Sequence, residues 1–263
     1  LLSFPENIEA TGLAAAIKLV VEAHPELSVH FTTEGDTIMQ TLADSVPVDV
    51  PITEMSDEEL AAYKSEFVRP FNLQEPPLYR FEVVKTESGV KLLMDVHHLV
   101  FDGGSADLFV RQLCATLEGS AAEKESYTYL DFVSDQQAAE NSDSFRDSQA
   151  FFAEKLQTCD GASEIPADLS ITDQQGFIGE AICPADYNNA ATFCRQLGIT
   201  PAHLFLAATS YVIARYTNSR EVYLSTISSG RSNLKIAETM GMFVNTLALA
   251  LNFDDVTVEE YLS

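Results

Sequence analysis

Apolar residues recur at helical spacing over residues 7–24, at Ile8, Leu13, Ala16, Ile17, Val20 and Val21, and Pro25 follows. This spacing predicts an amphipathic helix ended by proline. A short strand is expected at Val29 to Phe31, and a polar helix at Asp57 to Glu66. Three prolines punctuate Arg69 to Pro77, which predicts an extended run over a surface. Alternation then marks two strands, Leu78 to Lys85 and Val90 to Val96, joined by a turn at Glu87-Ser88-Gly89. Residues 105–118 return to the helical period through Leu108, Phe109, Val110, Leu113 and Leu117.

Residues 119–128 and 134–148 are polar and compatible with helix, and an apolar stripe follows at Phe151 to Leu156. Cys159 to Gly176 reads as loop. A second α/β pattern comes next: strand 177–182, helices 187–197 and 201–216, then strands 221–227 and 243–251. Thr200-Pro201 sets proline at a helix start, where its missing N–H costs nothing. The expected fold class is therefore α/β (α+β). Its organisation is an N-terminal lobe over 1–150, a connection over 151–176 and a second lobe over 177–263. Nothing repeats internally.

Charge narrows the function classes. The formal net charge is −25, from 15 basic and 40 acidic residues. Nucleic acid as partner is disfavoured, because phosphate binding needs clustered Lys and Arg. No apolar run approaches the length that crosses a bilayer. The start, Leu1-Leu2-Ser3-Phe4-Pro5, has neither an initiator Met nor a basic stretch, so it reads as a cut within a longer polypeptide instead of a signal peptide. The cysteines Cys114, Cys159, Cys183 and Cys194 form no CxxC pair and have no His at zinc-finger spacing. Packing roles in a reduced, cytoplasmic compartment are the expectation.

The chemistry concentrates at His97-His98-Leu99-Val100-Phe101-Asp102-Gly103, where a strand hands over to a helix. Successive strand side chains point to opposite faces. If the strand runs through the pair, the two histidines cannot face the same cavity, and one can be structural and the other catalytic. Gly103-Gly104 would permit a tight turn that returns Asp102 towards the histidines. A neutral imidazole can take a proton from an attacking amine or hydroxyl, or hold it in place. Taken alone, the same pattern fits a satisfied polar pair at a strand end. A metal site is disfavoured, since adjacent strand histidines diverge and no further His/Asp/Glu cluster completes a sphere. A hydrolase elbow of the GxSxG kind is absent from the sequence.

The segment Met94 to Ser105 resembles the active-site motif of nonribosomal peptide synthetase condensation domains, a superfamily related to chloramphenicol acetyltransferase. Companion motifs follow in the family's order. Pro70-Phe71-Asn72-Leu73 with Pro77-Leu78-Tyr79-Arg80 resembles PFDL…PLxR, and Tyr129-Leu130-Asp131-Phe132 resembles YxDF. Ser225 to Asn233, ending Gly230-Arg231-Ser232-Asn233, resembles the GR-containing strand end, and Gly241 to Leu247 is similar to GxFVNT. The family's RHExLRTxF appears as Ala23-His24-Pro25-Glu26-Leu27-Ser28-Val29-His30-Phe31, without its two arginines. One of these commonly pairs with the motif aspartate, so Asp102 needs another partner, with Arg80 and Arg231 the candidates. Ala250 stands for the arginine that closes GxFVNT, and Gly104 for the family's tryptophan.

The resemblance implies two chloramphenicol-acetyltransferase-like lobes in a V with a tunnel between them, the second lobe incomplete. It implies amide bond formation between a carrier-bound acyl or peptidyl thioester and a carrier-bound aminoacyl acceptor. His98 would assist the acceptor amine and Asp102 would hold the loop. Gly103 would offer its N–H to the oxyanion, His97 would be structural, and Asn245 would be a polar contact in the tunnel. No cofactor would bind directly, because substrates arrive on phosphopantetheine arms of donor and acceptor peptidyl carrier proteins beside neighbouring synthetase domains. An epimerisation domain, a free-standing transferase or a non-catalytic recruiting module are alternatives on the same resemblance.

Overall fold

Two faces of one sheet are buried differently, and the strand pattern shows why. In the computed structural model, which describes residues 1–5, 7–159, 161–166, 187–231 and 233–253, the chain divides into two compact units. The first comprises Leu1–Ser142 and Ser229–Asn245, the second Asp143–Ser228 and Thr246–Ser263.

The first unit is built on a four-stranded sheet of β1 (Leu2–Ser3), β4 (Ile52–Glu54), β5 (Tyr79–Thr86) and β6 (Gly89–Val96), in the order β1-β6-β5-β4. β5 and β6 form an antiparallel hairpin in the register Tyr79↔Val96 to Thr86↔Gly89, and β4 lies parallel to β5. Opposed residues share a face, so Val83 and Leu92 point together into the main core. That core is closed by α1 (Ala10–Ala23) and α3 (Gly103–Leu117), through Leu13, Ile17, Val20, Leu108, Phe109 and Leu113. The alternate positions Val84 and Leu93 meet Leu60 and Phe67 of α2 (Asp57–Phe67) on the other face. Glu82 shares that face and is buried, yet satisfied: Thr53 Oγ1 donates to it at 2.7 Å and the Tyr63 hydroxyl at 3.0 Å.

Capping side chains mark several of the helix starts. Ser56 and Glu59 form a reciprocal capping box at α2, and Thr128 with Asp131 does the same at α4 (Tyr129–Ala139). Pro25 opens a single 3₁₀ turn, Pro25–Ser28, after α1. β2 (Val29–Glu34) and β3 (Thr37–Leu42) then make a separate hairpin around Gly35-Asp36, with Gly35 at φ +61°.

The second unit contains α5 (Asp143–Lys155), α6 (Tyr187–Leu197), α7 (Pro201–Thr217) and β7 (Glu221–Ser228). It also holds all but the first residue of β8 (Asn245–Asn252). α7 packs on β7, and β7 pairs with β8. Thr200 caps α7 with Pro201 at its first position, as the sequence predicts. The expected strand 177–182 and Cys183 lie outside the described residues. Cys114 is exposed and Cys194 buried, so packing describes Cys194 and not Cys114; Cys114, Cys159 and Cys194 are free thiols. Among the described residues no single helix is long and apolar enough to cross a membrane.

Candidate active site

β6 ends at Val96, one residue before the histidine pair. His97 and His98 therefore lie in the loop, and strand alternation does not separate them. The His97 N–H still donates to Leu78 O at 2.8 Å, which continues the hairpin by one bond. His97 is half-buried, its Nδ1 accepts from the Leu99 N–H at 3.2 Å, and its ring stands edge-on to Phe71 at 6.0 Å between centroids. His98 is exposed. One histidine is held by its surroundings, and the other is presented to solvent. A shallow cavity of about 440 Å³ lies beside the pair, lined among others by Phe71, Asp95, His97 and His98.

Asp102, by contrast, is buried. It caps α3 in an extended conformation, and its side chain is 1% exposed. Its Oδ1 accepts from the Ser105 N–H at 2.7 Å, the Ser105 hydroxyl at 2.8 Å and Arg231 Nη2 at 2.9 Å. Its Oδ2 accepts from the Phe243 N–H at 3.1 Å. Burial pushes this carboxyl up, but these donors outweigh it and hold it below the usual carboxylate range. The two glycines after Asp102 are the first residues of α3 and have no left-handed φ, so the expected tight turn towards the histidines does not form.

Arg231 is the partner that the missing arginines left open. Its Nη1 donates to Ile236 O at 2.7 Å and Thr239 O at 2.8 Å, and Nη2 also reaches Ser105 Oγ at 3.0 Å. The guanidinium lies 4.4 Å from the centre of the Phe243 ring. Room for it exists because residue 104 is glycine: a Cβ there would stand 2.5 Å from Arg231 Nε. Arg80, the other candidate, is engaged elsewhere. It pairs with Asp95 at 2.7 Å, donates to Arg69 O at 2.6 Å and stacks 3.8 Å from the Phe71 centroid. It thereby steadies the ring that supports His97.

Several residues contribute beyond the roles that the motifs imply. Ser105 bridges α3 to the Gly241 segment, since its Oγ accepts the Gly241 N–H at 3.0 Å. The Tyr129 hydroxyl donates to Met242 O at 2.9 Å, and the Tyr129 ring packs against Phe243. Tyr129 sits in the YxDF-like run, which was the available signal. Asn245 is exposed at the start of β8. Gly103 is exposed with open space where a Cβ would be.

The family model for the condensation domain matches residues 1–263. The chain belongs to the condensation domain family. Tyrocidine synthase 2 of Brevibacillus parabrevis is 29% identical over 248 residues, covering 92% of this chain and 7% of that protein. The condensation domain from Monacolin K polyketide synthase MokA superposes with a TM-score of 0.81 at 18% identity, covering 97% of this chain and 63% of that one. The epimerization domain from the third module of tyrocidine synthetase B superposes at 0.79 and 17% identity, covering 98% of this chain and 62% of that one. The mixed α/β fold is thus that of solved condensation-type domains. The chain spans under two thirds of those two solved chains and a small part of the synthase.

Proposed function

We propose that this chain forms amide bonds between a carrier-bound acyl or peptidyl thioester and a carrier-bound aminoacyl acceptor. The observation that carries this reading is the division of labour within seven residues. Asp102 is buried and locked to Arg231, while His98, four residues earlier, is exposed on the loop so anchored. The acceptor amine attacks the thioester carbonyl, the C–S bond breaks, and the donor arm leaves as a thiol. His98 orients the amine and takes its proton, and orientation alone is worth several kcal/mol of the barrier. Gly103 is exposed at the first turn of α3, where N–H groups have no acceptor within the helix, and its N–H suits the developing oxyanion. Asp102 acts by holding the loop.

The substrates in this reading arrive on phosphopantetheine arms of donor and acceptor peptidyl carrier proteins, beside neighbouring synthetase domains in the cytoplasm, with no directly bound cofactor. In this reading residues 1–150 are the N-terminal lobe, 151–176 the connection and 177–263 part of the C-terminal lobe, except that Ser229–Asn245 belongs to the first compact unit; Asn245 is a polar contact for substrate. The non-catalytic alternative drew its force from the two missing arginines, and the Asp102–Arg231 pair stands in for one of them. Similarity to an epimerization domain concerns the fold alone.

The test is the full synthetase with both carriers loaded, His98→Ala against wild type, with dipeptidyl-carrier followed by intact mass. Product formation should fall by roughly 10²–10⁴-fold while carrier binding is unchanged. Undiminished product would overturn the catalytic role. An unchanged backbone with an inverted α-carbon on the bound residue would assign the chain to epimerisation.

A further inference from the structure

A second cluster of chemically capable side chains lies in the first unit, apart from the loop that carries His98. His24 follows α1, Glu26 lies in the 3₁₀ turn, and Glu125 comes from the segment between α3 and α4. The cluster is fully enclosed, with side-chain exposures of 0% for His24, 3% for Glu26 and 1% for Glu125. Donor atoms of the three residues all lie within 4.8 Å of one another.

Hydrogen bonding leaves this group incomplete. His24 Nε2 faces Gln112 Oε1 at 2.6 Å, and a glutamine oxygen can only accept, so Nε2 carries hydrogen. Nδ1 then faces carboxylates, with Glu125 Oε1 at 2.5 Å and Glu26 Oε1 at 3.2 Å. Glu125 Oε1 also accepts the Met240 N–H at 2.6 Å. Three buried oxygens, both of Glu26 and Oε2 of Glu125, have no hydrogen-bond donor among the described residues. One imidazole ring serves both carboxylates, and the remaining buried oxygens lack donors, which is costly; a divalent cation that displaces the Nδ1 hydrogen removes that cost.

We propose that His24, Glu26 and Glu125 form a binding site for a divalent transition-metal cation, with zinc the best match. Imidazole nitrogen and carboxylate oxygen are zinc ligands, and the count fits four-coordination: His24 Nδ1, both oxygens of Glu26 and Oε2 of Glu125. Gln112 supplies the outer contact that fixes the histidine tautomer, as metal-bound histidines ordinarily require. The site is structural: through Glu125 and the Met240 N–H it ties the end of α1 to the segment whose Gly241 and Phe243 N–H groups hold Ser105 and Asp102. Linear spacing conceals it, because Glu125 lies 101 residues from His24.

The test uses the whole chain, stripped with a chelator and titrated with zinc alone against a fluorescent zinc-binding competitor, with metal content read by mass spectrometry. The expected result is one tightly held zinc per chain and a higher melting temperature with zinc than with chelator. Glu26→Gln, nearly isosteric, should weaken that zinc by about 100-fold or more, and Gln112→Ala by ~10–100-fold. Asp36→Asn, in the exposed β2–β3 turn, should change nothing. Absence of zinc uptake at micromolar concentration overturns the proposal, as does equal uptake by wild type and the two site variants, which would assign the metal to the acidic surface. If Glu26→Gln does not fold, the Gln112→Ala affinity decides.

Discussion

Arg231 Nη2 donates to Asp102 Oδ1 at 2.9 Å across 129 residues of chain, with only 13% and 1% of the two side chains exposed. Removing one partner of such a pair strands a buried charge, at a cost of about 3–5 kcal/mol. Arg231→Ala should lower unfolding stability by that amount in urea titration. Arg231→Lys should recover little, because a lysine cannot serve Ile236 O, Thr239 O, Ser105 Oγ and Asp102 together from a planar fork. Full stability of Arg231→Lys would show that only the charge matters.

Gly104 and Arg231 should be energetically coupled. The three atoms nearest to a Cβ at residue 104 are Nε, Cδ and Cζ of Arg231, at 2.5, 3.0 and 3.1 Å. That guanidinium is pinned by its hydrogen bonds and cannot yield cheaply. Gly104→Ala should cost ~1–3 kcal/mol in the wild-type background. In Arg231→Ala the same change should cost nothing or stabilise slightly, since alanine is the better helix residue. A double-mutant cycle measures the coupling, and additive energies would contradict it.

The Asp102 carboxyl sits below its ordinary range when folded, despite burial, because Ser105, Arg231 and Phe243 donate to its ionised form. A depressed folded value stabilises the protein above the unfolded value, near 3.9, and that contribution fades as pH falls through the folded value. The stability gap between wild type and Asp102→Asn should therefore be full at pH 7 and shrink below about pH 4. Urea titrations from pH 7 to pH 3 give the comparison. A gap independent of pH would mean that ionisation of Asp102 contributes nothing.

Legibility from sequence followed the strength of local signals. α1 is legible because its apolar period matches one buried face and Pro25 follows it, α7 because Thr200-Pro201 marks its start, and β5 and β6 because they alternate on either side of a turn. β3 was missed because Ile38 and Met39 are exposed, so its apolar residues mark no buried face. The Gly35-Asp36 turn was its one clear signature. The candidate residues His97, His98 and Asp102 stand out in the sequence by their motif, but their directions do not. Those depend on where β6 stops and on Arg231, which the sequence offers as one of two candidate partners of Asp102 and the structure selects. Linear order likewise hid Glu125, which lay in a run read only as polar.

Gly230 offers the sharpest packing test. It holds a left-handed backbone at φ +66°, and a Cβ there would stand 1.9 Å from the Phe243 carbonyl oxygen. Gly35 has nearly the same backbone, φ +61°, with nothing within 4 Å of its would-be Cβ. Gly35→Ala should thus cost only the left-handed penalty, about 1–2 kcal/mol. Gly230→Ala adds displacement of the Phe243 backbone, a further ~1–3 kcal/mol or more. Phe243 also donates its N–H to Asp102 and lies under Arg231, so the shift should propagate into that network. The expected signature is non-additivity between Gly230→Ala and Asp102→Asn, with Gly35→Ala additive to both. Equal costs at the two glycines would show that the Phe243 backbone yields freely and that this close approach does not restrain the loop anchor.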